Sequence, residues 1–145
     1  MFSQTTEYAM RAMACLAMSP QELVATPVLA KQTKVPSNYL AKVLQSMRRG
    51  GLIHSRRGVG GGVTLAKPAA KITLLDVIDA VEPLKRTPSK KAPAAAQLQK
   101  SMDSAVDQLR ATFASESLAD MLPKGKTVKA AARGAAAKRP VAKNR

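Results

Sequence analysis

The chain of 145 residues has one cysteine, one histidine, no tryptophan, two phenylalanines and two tyrosines. A single cysteine excludes an intramolecular disulfide and fits a cytosolic protein. So few aromatics mean that a core drawn from a 46% hydrophobic composition must be aliphatic. No run approaches the roughly eighteen apolar residues that a membrane span needs. The N-terminus lacks a positive leader segment, and Glu7 and Arg11 interrupt its apolar run, so neither a signal peptide nor a membrane partner is expected. There are no paired carboxylates, no cluster of metal ligands and no nucleophile–base set, so an enzyme is not expected either. Acid is the most informative scarcity. Between Glu22 and Asp76 there is no Asp or Glu but nine Lys or Arg, and from Pro123 onward there are eight Lys or Arg and again no acid. The formal charge is +15, of which the first 122 residues hold +7 (sixteen basic, nine acidic). A basic block inside a foldable region, followed by a basic tail, points to a polyanionic partner.

What is present reads mainly as helix. Thr5 to Met18 is rich in Ala and Met and free of Pro and Gly, which predicts a helix apolar around most of its circumference and therefore central. On it Glu7 and Arg11 form an exposed i, i+4 pair, and Cys15 is expected to be a buried thiol acting as a small hydrophobe. Val24 is a candidate short strand. Thr26-Pro27 reads as an N-cap followed by proline at the first helical position, opening a helix to about Thr33. Pro36 is read in the same way, as the first residue of the next helix, which Gly50-Gly51 ends. Leu52 to Arg57 and Val63 to Ala66 are short strands around the glycines at 58 and 60–62, so a hairpin follows the helix pair. Thr73 to Asp76 fits a capping box for a helix with a stripe of Leu74, Leu75, Ile78 and Val81. Residues 83–96 carry three prolines and four cations and read as a loop. Gln97 to Ala114 is a helix with Leu98, Met102, Ala105, Val106, Leu109 and Phe113 along one side, close to a coiled-coil seam. Ser117 to Asp120 suggests a last capped turn, and residues 123–145 cannot build a core.

The stretch from Val35 to Ala66 carries the chemistry. Leu40, Val43, Leu44 and Met47 fall on one apolar face of its helix. Asn38, Ala41, Lys42, Gln45 and Arg49 share the opposite face, with Ser37 and Tyr39 at the helix start and Arg48 beside its end. Asn and Gln bond bidentately to adenine, and Lys or Arg to guanine, in the major groove. Taken singly, such a face is only a solvated surface. Tyr39 suits either the core or a phosphate, and Arg48 and Arg49 suit phosphates or the helix's own last carbonyls. At the hairpin, Arg57 suits a narrow minor groove, Arg56 a phosphate, and Gly58 a close backbone approach. The glycine cluster has no phosphate-loop pattern, and a strand rather than a helix follows it. His54, the lone histidine, reads as an ordinary strand side chain.

These residues resemble the IscR/NsrR-type winged-helix transcriptional regulators. The match runs through Tyr8; Tyr39, Leu40, Leu44, Arg48 and Gly51-Leu52; Ser55, Arg57, Gly58 and Gly60-Gly61-Gly62; and Leu65-Ala66 and Pro68. It continues in ITLLDVIDAVE over 72–82 and SLADML over 117–122. The resemblance implies a bacterial winged helix-turn-helix domain with a wing of two to three strands, and a long helix that pairs two copies through Leu98, Met102, Val106, Leu109 and Phe113. It implies a domain over 1–82, a loop over 83–96, the dimerisation helix and a final short helix over 97–122, and a basic tail over 123–145. Several members hold an iron–sulfur cluster through three cysteines in that loop; here the loop has neither Cys nor His, so no cofactor is expected. Val59 stands where a proline is common at the wing tip, and Val63 where an aromatic is common.

The reading that follows is a cytoplasmic, nucleoid-associated regulator, a repressor in most of this family, binding palindromic double-stranded DNA as a homodimer. The sequence names no small-molecule effector. The alternative is an architectural protein that coats DNA with little sequence preference, because the Lys/Ala/Pro tail resembles that of linker histones.

Overall fold

A computed structural model describes residues 2–84 and 93–124. The helices are α1 (Gln4–Met18), α2 (Thr26–Thr33), α3 (Ser37–Arg49), α4 (Leu74–Val81), α5 (Pro93–Ser115) and α6 (Leu118–Met121). Strands β1 (Ile53–Arg56) and β2 (Gly62–Leu65) pair antiparallel, with Ile53 opposite Leu65 and Arg56 opposite Gly62. Val24 adds a third, one-residue strand: it exchanges two backbone hydrogen bonds of 2.9 Å with Val63. The loop expected over 83–96 falls mostly on 85–92, outside the described residues, as does all of the basic tail but Pro123 and Lys124.

The core is aliphatic. Ala9, Ala12, Met13 and Leu16 of α1 are covered by Leu29, by Leu40, Val43 and Met47 of α3, by Ile53, and by Ile72, Val77 and Leu118. Burying a side chain of this size stabilises by about 1.5–3 kcal/mol each. Helix α1 thus occupies the centre, as its nearly all-round apolar surface requires. Its N-terminus is capped by Ser3, whose hydroxyl accepts from Thr6 N–H and donates to the carboxylate of Glu82, joining the ends of α1 and α4.

Several local expectations are corrected. Thr26 lies inside α2, whose cap is Ala25 with no side-chain hydrogen bond. Pro36 is the cap of α3 rather than its first residue. At α3 Pro36 itself holds the extended backbone that precedes the helix, whereas at α2 Ala25 does and Pro27 stands second within the helix. The buried stripe of α4 is Leu74, Val77 and Ile78, with Leu75 and Val81 only half-buried. In a helix of two turns the packing of α1 and α3, more than the periodicity, sets which side turns inward. Helix α5 begins at Pro93, four residues earlier than read, since proline is tolerated in a first turn. Cys15 is half-buried, its thiol donating to Gln32 Oε1 at 3.1 Å. The capping boxes at Thr73 with Asp76 and at Ser117 with Asp120 are both formed.

Candidate nucleic-acid interface

Helices α2 and α3 meet through a tight turn in which Lys34 takes a left-handed conformation (φ 55°) and Val35 N–H returns to the Ala30 carbonyl at 3.1 Å. Helix α3 ends in a Schellman arrangement. Gly51, at φ +71°, donates to the Arg48 carbonyl, and Leu52 donates to that of Met47 at 3.0 Å. This closure buries Leu52 beside Met47 and starts β1 one residue later, so the hairpin leaves at a fixed angle to α3.

With Leu40, Val43, Leu44 and Met47 turned inward, Ser37, Asn38, Tyr39, Ala41, Lys42, Gln45, Arg48 and Arg49 are all exposed. Every α3 residue expected to face DNA therefore lies on the solvent side. Tyr39 is 46% exposed and braced edge-on by Tyr8, with ring centroids 6.0 Å apart. It is an exposed side chain standing on a core one. Arg48 reaches across to the wing, its Nη1 donating to Ser55 Oγ at 3.2 Å. A cleft of about 290 Å³ lies between α3 and the strands, lined among others by Thr26, Ala41, Gln45, Arg48 and Ser55. His54, Arg56, Arg57 and Gly58 are exposed on the wing. The wing is locked to the body by the Val24–Val63 bridge, where a Cβ on Gly62 would meet the Val24 carbonyl oxygen at 2.5 Å.

The helix ends sort by electrostatics. Helices α1, α4 and α6 have side-chain caps (Ser3, Thr73, Ser117) and an acid in the first turn (Glu7, Asp76, Asp120). Helices α2 and α3 have neither, so their first-turn N–H groups and positive dipole ends carry no internal carboxylate. Such ends favour anions, and here they flank the cationic face of α3. Sequence reading missed this feature because Thr26 looked like a cap. The two Asp/Glu-free first turns were the available signal.

Helix α5 splits the seam expected on it. Leu98, Met102 and Leu109 are 64%, 54% and 45% exposed, whereas Val106 is half-buried and Phe113 packs on the core, edge-on to Phe2 at 5.6 Å. The free stripe is thus Leu98, Met102, Ala105 and Leu109, at the 4-3-4 spacing of a helix pair.

An iron–sulfur cluster does not fit the donors present. The whole chain offers one thiol and one imidazole: Cys15 on α1, hydrogen-bonded to Gln32, and His54 on the wing. Among the described residues no group of three or more His, Cys, Asp or Glu is placed to hold a metal. Nor is any helix there long and apolar enough to cross a membrane.

A three-helix core, a helix-turn-helix with an open cationic face and a hairpin clamped beside it define a winged-helix protein. The chain belongs to the Rrf2 family, described as iron-dependent transcriptional regulators, whose model matches residues 2–124. It is 41% identical over 78 residues to a candidate HTH-type transcriptional regulator of Aquifex aeolicus, covering 54% of each chain. It is 38% identical over 78 residues to the HTH-type transcriptional regulator IscR of Cereibacter sphaeroides, covering 52% of this chain and 50% of that one. The chain spans about half the length of the curated relatives it matches. Among solved structures it is similar to Staphylococcus aureus CymR (TM-score 0.67, 26% identity, 86% of this chain and 99% of that one). The B. subtilis global cysteine regulator CymR has a TM-score of 0.69 at 24% identity over 83% of this chain and 95% of that one, a likeness of fold.

Proposed function

We propose that this member of the Rrf2 family is a sequence-specific regulator of transcription that binds double-stranded DNA as a homodimer on a palindromic site, acting as a repressor. The observation that carries the reading is the continuous acid-free surface made by α3, the wing and the uncapped ends of α2 and α3. Asn38, Lys42 and Gln45 read base edges. Ser37, Tyr39, Arg49 and Arg56 hold phosphates, and Arg57 with Gly58 enters the minor groove. Arg48 sets the angle between α3 and the wing through Ser55 and contacts the backbone. Seven of the nine acids lie from Asp76 onward, so charge repulsion favours one docking face. The exposed stripe Leu98, Met102, Ala105 and Leu109 supports pairing of two copies. The regulator works without an iron–sulfur cluster and without catalysis, in the cytoplasm.

Selection of bound duplexes from a random pool tests this. The expected result is enrichment of one motif repeated with two-fold symmetry, and a dimer mass in sedimentation. Equal recovery of all duplexes would favour a DNA-coating role instead. An absorbance spectrum of anaerobically purified protein should lack visible iron–sulfur bands.

A further inference from the structure

Helix α5 is fastened to the winged-helix body near its C-terminal end. Phe113 sits on the core, Leu74 N–H donates to the Glu116 carbonyl at 2.9 Å, and Leu118 N–H donates to that of Ile72 at 2.8 Å. Toward the other end, Leu98 and Met102 stand in solvent. Between these regions Arg110 forms a fork. Its Nη1 donates to Asp79 Oδ1 at 2.9 Å and to the Leu84 carbonyl at 3.2 Å, and its Nη2 donates to Asp79 Oδ2 at 3.0 Å. One guanidinium thus joins α5, α4 and the last described residue before 85–92. Both side chains are 35% exposed, sheltered more than an ordinary surface pair. Asp79 has a firm base, because Val77 and Ile78 of the same helix are buried in the core.

We propose that the Arg110–Asp79–Leu84 fork is a positioning device: it sets the angle of α5 against the DNA-reading body and thereby the spacing of the two half-sites the dimer accepts. This rests on the homodimer reading above. The lever is long enough to matter. From Arg110 to Pro93 the helix runs about 26 Å, so a tilt of about 10° moves its tip by roughly 4–5 Å. That exceeds the rise of about 3.4 Å per base pair. A fork with two parallel bonds resists such a tilt in a way a lysine, with one point charge, does not.

The test uses the full chain and duplexes carrying the selected half-sites at their native spacing or with one base pair added or removed. Wild type is expected to prefer native spacing by about ten-fold or more. R110A should keep the dimer mass and its affinity for a single half-site, while the spacing preference falls to about three-fold or less. R110K should fall between them, and the charge-swapped pair D79R/R110D should recover most of the preference. A variant that melts earlier yet keeps the wild-type spacing ratio would overturn the proposal, leaving the fork a mere stabiliser. If R110A proves unfolded by circular dichroism, R110K and the swapped pair decide by the same ratio. A wild-type chain that is monomeric or indifferent to spacing would overturn the dimer reading itself, before any variant is made.

Discussion

Replacing Gly62 by alanine should damage the interface from inside the fold. A Cβ at Gly62 would lie 2.5 Å from the Val24 carbonyl oxygen and 2.9 Å from Ala25 N, all backbone that no rotamer change can clear. The wing must therefore shift away from Val24, giving up the two 2.9 Å bonds of the Val24–Val63 bridge. At about 1 kcal/mol per hydrogen bond, with about 1 kcal/mol or more for the displaced packing, the loss is about 3 kcal/mol. Gly51→Ala is the matched control: nothing lies within 4 Å of its Cβ, but its φ is +71°. That substitution costs about 1 kcal/mol for a left-handed alanine. The entropy alanine removes from the unfolded chain is common to both and cancels in the comparison. For a domain of this size the difference of about 2 kcal/mol corresponds to roughly 8 °C in Tm. Thermal melts followed by circular dichroism give the ordering directly, and DNA affinity should fall further for Gly62→Ala because the wing carries Arg56 and Arg57. Equal melting temperatures, or Gly51→Ala the lower, would refute the clamped-wing argument.

Other outcomes follow from the same geometry. Lys42→Ala or Gln45→Ala should cost about 1–3 kcal/mol on the selected site and little on random DNA, read as a ratio of dissociation constants. Lys34→Gly should raise stability by about 1 kcal/mol in urea melts, since glycine relieves the left-handed strain at φ 55°. Hydrogen bonds from the Ser117 backbone and hydroxyl hold the Asp120 carboxyl below its usual value. The unfolded state therefore binds the proton more readily, and this contribution is present above the ordinary aspartate range and lost as pH falls through the folded value. Asp120→Asn should flatten the acid limb of a stability–pH curve there. Burial pushes the Cys15 thiol up, so its alkylation should reach half-maximal rate at a higher pH than that of a free cysteine.

Much of this architecture was legible in the residues. The 3-4 spacing of Leu40, Val43, Leu44 and Met47 placed the inward face of α3 correctly, and with it the outward side chains. Thr73 with Asp76, and Ser117 with Asp120, declared their helix starts because a capping box is a local interaction between residues three apart. The failures at Cys15, Phe113 and Arg110 share one cause: long-range packing decided them. Helix α1 is apolar nearly all round, so only the elements packed around it determine that Cys15 is half-buried while Met13 is fully buried. Phe113 continues the spacing of the α5 stripe, yet Phe2 and the core draw it inward. The Arg110 fork joins residues 31 apart, and no pattern in the chain announces it.

In the function proposed above, the protein is a two-fold reader of specific DNA. Nuclease footprinting of the intact chain on its selected fragment tests it most directly. Two protected segments related by a two-fold axis are expected, their centres about one helical turn (roughly 10 base pairs) or a multiple of it apart. Protection that spreads evenly along any fragment as protein is added would contradict it.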